Sequence, residues 1–256
     1  MVSILTTHYN RPDALILCLK AIEDAKLNFA YEIVVSDDGS NKENLDIINK
    51  LKIDTLVLAT KNEGLASNLN KGIKACKGDY LLYVQEDFIM MPEFKNVIKE
   101  GIELLDSNAL DMIRYRSNYR FKHLQPCTEH VFKIPKFSLR NFQINTFQYS
   151  DHPFLTTPSF FKTFGYYLED TSVGYGETEY AIRILKSEAR IGITKRNYFK
   201  NIEGVPSTVY INTMKQKQGI KKAIWRFARA LRQHLEWLLY NPHKRGLITY
   251  KNKRIS

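Results

Sequence analysis

The sequence predicts an α/β fold, a mostly parallel sheet flanked by helices, followed by a C-terminal basic amphipathic helical tail. Three observations carry this. Short β-branched runs alternate with segments of helical periodicity, the pattern of a parallel sheet covered on both faces. Polar clusters punctuate the ends of the strand-like runs, where ligands bind in such sheets. The net charge of +11 in 256 residues is concentrated at one end. From Lys215 to Ser256 twelve Lys or Arg stand against one acid, Glu236, which accounts for the whole excess and leaves residues 1–214 balanced. A neutral body with a separate cationic element is expected, not a protein basic all over.

Val2 to Thr7 reads as the first strand and ends at Tyr9-Asn10-Arg11-Pro12. Ala14, Leu15, Leu17, Cys18, Ala21 and Ile22 then recur at helical spacing. Glu32 to Ser36 is a second, β-branched strand closed by Asp37-Asp38-Gly39-Ser40, and Ser40 with Glu43 makes a capping box for the next helix. Thr55 to Ala59 is a third strand. Leu65 to Lys77 is a third helix with Gly78 at its C′ position. Tyr80 to Val84 is a fourth strand, and Pro92 opens a further helix. From Ala109 to Asp170 the periodicity weakens, and Asp111–Tyr115 and Asn145–Tyr149 read as strands among aromatic and basic loops. Helical spacing returns over Glu179–Leu185, and Arg190–Thr194 is a last strand.

Cys18, Cys76 and Cys127 lie far apart with no CxxC pair, which argues against a disulfide framework or a cysteine zinc site and fits a reducing compartment. The opening MVSILTTHYNRPD meets polar residues too early for a signal peptide, and no apolar run has transmembrane length. No GxGxxG follows the first strand, which disfavours a dinucleotide oxidoreductase. The tail's charge would suit phosphate contacts, but a neutral body without a recognition motif argues against nucleic acid.

The stretch from Leu81 to Phe88 places Gln85-Glu86-Asp87 between two apolar runs. An unpaired buried carboxylate is costly or takes up a proton. Two readings stand: a solvated turn, or a site for a hard cation such as Mg²⁺ or Mn²⁺.

With its neighbours this stretch resembles glycosyltransferase family 2, the inverting nucleotide-sugar transferases of the GT-A fold. VSILTTHYNRPDALILCLKAI is similar to the family's opening strand and helix, and EIVVSDDGS to its second strand. NEGLASNLNKGIKACKGDYLLYVQED is similar to the helix and strand leading into its DXD-type metal motif. The resemblance implies a Rossmann-like GT-A body over 1–214, with a nucleotide-sugar half (1–108) and an acceptor half (109–214), ahead of the tail 215–256. It places Thr7 and Tyr9 at the base pocket, Asp38 on the uracil or ribose, and Asp87 on Mn²⁺ or Mg²⁺. Glu86 stands for the usual Asp and would act near the nucleotide, through water. A packing role for Tyr9 and a turn role for Asp38 remain the alternatives. The implied activity is metal-dependent transfer from a nucleotide-diphosphate sugar, UDP-sugar foremost, to a saccharide or lipid-linked saccharide. Bacterial surface polysaccharide synthesis, in the cytoplasm or at the inner face of the membrane, is the implied setting. Given the altered motifs, a catalytically degenerate scaffold on the same fold is the competing reading.

Such a transfer needs a carboxylate to take the acceptor's proton. The family's base lies in an ED motif opening a late helix, which Gly176-Glu177-Thr178-Glu179-Tyr180-Ala181-Ile182-Arg183 matches when aligned on Arg183. Glu177 falls at the base position, Glu179 is its rival and Glu169-Asp170 a weaker one. A helix-dipole role is the alternative for these acids. Asn201 stands where some members carry a metal-binding His. His8 reads as a polar lining residue and His152 as a structural histidine. In the tail, Ile220, Ile224, Phe227, Ala228, Leu231, Leu235 and Leu238 form an apolar stripe, with Lys222, Arg226, Arg229 and Arg232 largely opposite. This suits an anionic membrane surface over residues 215–240, or equally a helix docked on the body with a solvated basic face.

Overall fold

The computed structural model describes residues 1–203 and 220–250. The first half runs β1 (Val2–His8), α1 (Pro12–Asp24), β2 (Tyr31–Asp37), α2 (Lys42–Ile48), β3 (Thr55–Leu58), α3 (Leu65–Ala75), β4 (Tyr80–Tyr83), β5 (Phe88–Met90) and α4 (Phe94–Asp106). The second runs β6 (Met112–Arg114), β7 (Gln125–Pro126), β8 (Val131–Lys133), β9 (Phe154–Thr156), α5 (Pro158–Phe164), α6 (Val173–Lys186), β10 (Ile191–Thr194), β11 (Phe199–Asn201) and α7 (Ile220–Leu239).

Among the described residues nine strands form one sheet in the order β3-β2-β1-β4-β9-β6-β10-β8-β7. β3, β2, β1 and β4 are mutually parallel. β9 runs antiparallel between β4 and β6, and β6 and β10 are again parallel. This is the expected α/β architecture. β11 and β5 make a separate antiparallel ribbon.

Because the central strands are covered on both faces, their successive residues feed two cores. Ile4, Leu82 and Val84 meet Leu15 of α1 and Phe94 of α4 on one side. Leu5, Leu81 and Tyr83 meet Leu69 of α3 and Tyr180 of α6 on the other. Each such side chain contributes roughly 1.5–3 kcal/mol by leaving water. That double burial is why these strands read as continuous apolar runs.

Several boundaries differ from the sequence reading. The expected strand Asn145–Tyr149 is a short 3₁₀ turn over Asn145–Gln148. The Phe147 and Gln148 carbonyls accept from the Arg114 guanidinium, so they cannot serve a strand ladder. Ser40 does not cap α2; Asn41 does, accepting from Asn44 N. The Ser40 hydroxyl is used instead by Asp37, 2.5 Å away. Gly78 is not a C′ glycine, since α3 ends at Ala75 with an extended Cys76. It is required there because a Cβ would sit 2.6 Å from Ser3 N on β1. The helix after Pro92 starts at Phe94, and α6 starts at Val173, ahead of the expected Glu179. The boundary expected at 214/215, the start of the tail and the side chain of Ile220 lie outside the described residues.

Gly39 sets the turn that carries Asp38. Its φ is +76°, and a Cβ would fall against the neighbouring loop, 2.7 Å from Lys61 Cα. Gly39→Ala combines an unfavourable backbone region with overpacking, so a loss of about 2–4 kcal/mol in chemical denaturation is expected.

Candidate active site

Parallel register carries the carboxyl ends of β1, β2 and β4 to one edge of the sheet, with His8 opposite Asp37 and Leu5 opposite Tyr83. The end of β1 is braced. His8 Nδ1 lies 2.7 Å from Asp37 Oδ2, and its Nε2 accepts from Arg11 N at 3.1 Å. Nδ1 therefore carries the proton, and the imidazole is buried: His8 is a strut, not a lining residue. Burial opposes the Asp37 charge, but bonds from His8 and Ser40 outweigh it and hold the carboxyl below its usual range.

Asp38 is buried and accepts from Glu63 N and Gly64 N, each at 2.9 Å, tying the loop before α3 to the end of β2. Burial raises its carboxyl, against those two bonds and the charge of Lys71. Lys71 Nζ is itself buried without a hydrogen-bond partner among the described residues. Thr7 is buried with its hydroxyl 2.9 Å from that of Tyr83, whereas Tyr9 is exposed beside it.

Glu86 and Asp87 have parted company. Glu86 Oε1 takes Arg11 Nη1 at 3.1 Å. Burial pushes its carboxyl up to about 7, with Arg11 pulling the other way. Asp87 is also raised by burial, and its Oδ1 is buried with no hydrogen-bond partner among the described residues. The turn that presents it is fixed by Ile202 N, which donates to the Asp87 carbonyl at 2.8 Å. The adjacent Asn201 is held by Arg116 Nη2 at 2.9 Å.

An unbonded, buried carboxylate oxygen is what a hard cation requires, so Asp87 fits Mg²⁺ or Mn²⁺. No cluster of three His, Cys, Asp or Glu side chains adjoins it among the described residues. The rest of a coordination shell would come from ligand phosphates and water.

A second acidic centre lies in the second half of the chain. Asp151, ahead of β9, shares a side-chain hydrogen bond with Glu177 in the first turns of α6. Burial first, and then the Asp151 charge, push the Glu177 carboxyl well above the usual carboxylate range. Beneath the pair, Arg114 is buried and donates to Ser150 Oγ at 2.5 Å. Burial lowers its guanidinium to about 10, against the stabilising charges of Glu177 and Asp151. Asp151 and Glu177 line a cleft with Leu69, Tyr149, Tyr167 and Gly176. Gln85 Nε2 reaches Asp151 Oδ2 at 3.5 Å, joining the cleft to the Asp87 turn.

Sequence reasoning missed Asp151, Arg114 and Lys71; for Asp151 the only signal was the polar run Tyr149-Ser150-Asp151-His152. His152 packs its ring edge-on to Phe88 with Nδ1 buried and unbonded among the described residues. Burial, then Arg114, depress it to about 3, so it stays neutral at physiological pH.

Glu179 lies outside the cleft. It is fully buried, bonded to Arg183 Nη2 at 2.5 Å and accepting from Tyr240 Oη at 2.6 Å. It joins α6 to the chain after α7 and has no open lone pair facing a substrate. Glu179→Ala strands a buried cation, so a loss of about 3–5 kcal/mol in urea denaturation is expected. Glu169, the weaker rival, accepts from Asn70 Nδ2 at 2.6 Å.

Comparison with known proteins gives the fold and the family. A stretch of 129 residues is 29% identical to hyaluronan synthase of Pasteurella multocida, covering 49% of this chain and 13% of that protein. Another, of 93 residues, is 33% identical to UDP-Glc:alpha-D-GlcNAc-diphosphoundecaprenol beta-1,3-glucosyltransferase WfaP of Escherichia coli, covering 34% and 35% respectively. The chain thus spans well under two thirds of these relatives. The fold matches S. aureus TarS in complex with UDP-GlcNAc with a TM-score of 0.62 at 17% identity, over 91% of this chain and 72% of that one. It also matches the mannosyltransferase PcManGT from Pyrobaculum calidifontis, in complex with GDP-Man and Mn²⁺, with a TM-score of 0.56 at 17% identity, over 91% and 62%. The sequence profile of glycosyl transferase family 2 matches residues 3–167. With that profile spanning the strands, the Asp87 turn and the approach to α6, the chain belongs to glycosyl transferase family 2.

Proposed function

We propose that the chain transfers a sugar, with inversion, from a UDP-sugar to a saccharide or lipid-linked saccharide acceptor in bacterial surface polysaccharide synthesis. One observation carries the reading. Gln85, two residues before Asp87, reaches Asp151 Oδ2 at 3.5 Å, and Asp151 lines a cleft with Glu177, so a carboxylate suited to a cation stands next to a cleft that holds a candidate base. The relatives support the donor class, since the E. coli protein is named for UDP-Glc and TarS binds UDP-GlcNAc.

Asp87 would hold Mn²⁺ or Mg²⁺ with donor phosphate oxygens, and the cation would offset charge growing on the departing diphosphate. Asp38, Thr7 and Tyr9 lie at the strand ends where the base and ribose would sit, with the charge of Lys71 acting on Asp38. Glu177 takes the proton from the acceptor hydroxyl as its oxygen bonds to the anomeric carbon and the bond to the diphosphate breaks. Asp151 orients Glu177, and the charge of the buried Arg114 favours the ionised form of both carboxyls, which leaves Glu177 able to accept a proton.

A thermal-shift series with nucleotide sugars tests the donor half. A UDP-sugar present at a hundred times its Kd stabilises the fold by about 2.7 kcal/mol, and the shift is expected only with Mn²⁺ or Mg²⁺. No shift with any nucleotide sugar would leave the scaffold reading in its place.

A further inference from the structure

We infer that the outward face of α7, together with the turn at Leu139, is a docking surface for an anionic lipid bilayer. Helices on globular bodies turn their apolar stripe inward. α7 does the reverse. Three of its polar residues are buried beside Ala230: Gln233 accepts from Thr146 Oγ1 at 3.0 Å, Glu236 accepts from Ile248 N at 2.8 Å, and His234 stacks on Phe142. The stripe faces out, with Ile224 at 64% and Leu238 at 62% exposure and Phe227, Leu231 and Leu235 close behind.

A separate element extends the same surface. Leu139, in the 3₁₀ turn Leu139–Asn141, is 80% exposed, and the Phe142 ring that follows it lies 5.7 Å from that of Phe227. Contiguous apolar surface built from two elements marks an interaction site rather than scattered exposure.

Charge selects the occupant. Lys222, Arg226 and Arg232 on α7 and Arg140 beside Leu139 are exposed, while the tail's one acid, Glu236, is buried. A second copy of this chain would oppose like charges. An anionic bilayer offers both apolar depth for the stripe and headgroups that complement the basic residues on the polar side of an in-plane helix. The proposed lipid-linked acceptor gives this surface a use, but binding rests on the surface alone.

The test is co-sedimentation of the full chain with phosphatidylcholine vesicles, with and without 30 mol% phosphatidylglycerol (about 30, a common anionic load). Wild type is expected to partition at least about tenfold more to the anionic vesicles, less so at high salt. The double variant Leu231→Ser/Leu235→Ser should lose that partition while keeping its melting temperature and its Mn²⁺-dependent UDP-sugar shift. Equal partition of wild type and variant overturns the inference. So does a wild-type dimer that the variant dissolves, which would assign the face to a second copy. A lowered melting temperature in the variant also overturns it, because the stripe would then be covered by this chain itself. The nucleotide shift is read separately, so loss of the transferase reading cannot be mistaken for loss of this one.

Discussion

Replacing Asp87 by Asn is expected to lower kcat/KM by about 10²–10³-fold, the scale of losing one preorganised charge contact at a reacting centre. The same variant should fold as well as wild type or better. Asp87 makes no side-chain bond through Oδ1, and burial already works against its charge. Removing that charge relieves a desolvation cost that outweighs the attraction of Arg11 and Arg116. A structural acid would behave oppositely, losing stability when neutralised. The joint measurement is therefore decisive: activity and Mn²⁺-dependent UDP binding fall together, while the urea midpoint holds or rises. Full activity in Asp87→Asn would remove the metal from the reaction.

Glu177→Gln carries the other large effect, a fall in kcat of about 10²–10⁴-fold, as expected for loss of a general base. Donor affinity should be unchanged, because Glu177 lies on the acceptor side of the cleft. The pH profile separates a base from a spacer. Burial and the Asp151 charge raise Glu177, so at low pH it holds a proton and cannot accept another. The rate should climb as pH rises through the value of the pair, then level. Asp151→Asn removes the negative neighbour and leaves an amide able to donate to the Glu177 carboxylate. The ascending limb should then move to lower pH. A limb that stays in place would show that Asp151 does not act on the base.

The first half of the chain was legible because its strands are buried on both faces. Apolar runs such as Leu81–Val84 end abruptly at polar residues, and parallel pairing brings all those ends to one edge. The second half was not, because it is assembled from pieces too short to show a period. β9 is three residues long, yet it sits between β4 and β6 and delivers Asp151 to the cleft. The resemblance put Glu177 at the base position with Glu179 as its rival, but spacing alone could not part the two. Two residues on one helix point roughly 200° apart, and only the docking of α6 decides which side meets the cleft. For α7 the periodicity was read correctly, but periodicity carries no sign. The buried bonds of Gln233, Glu236 and Tyr240 turned the stripe outward.

The ribbon of β5 and β11 has a consequence for the order in which the protein is made. The turn presenting Asp87 is clamped by Ile202, and β5 pairs residue by residue with Phe199 to Asn201. A nascent chain emerging from the ribosome can lay down the four parallel strands long before those partners exist. Asp87 therefore acquires its geometry only when more than a hundred later residues have been synthesised, and a chain cut after α6 keeps Asp38, Asp87, Asp151 and Glu177 without the clasp that aims Asp87.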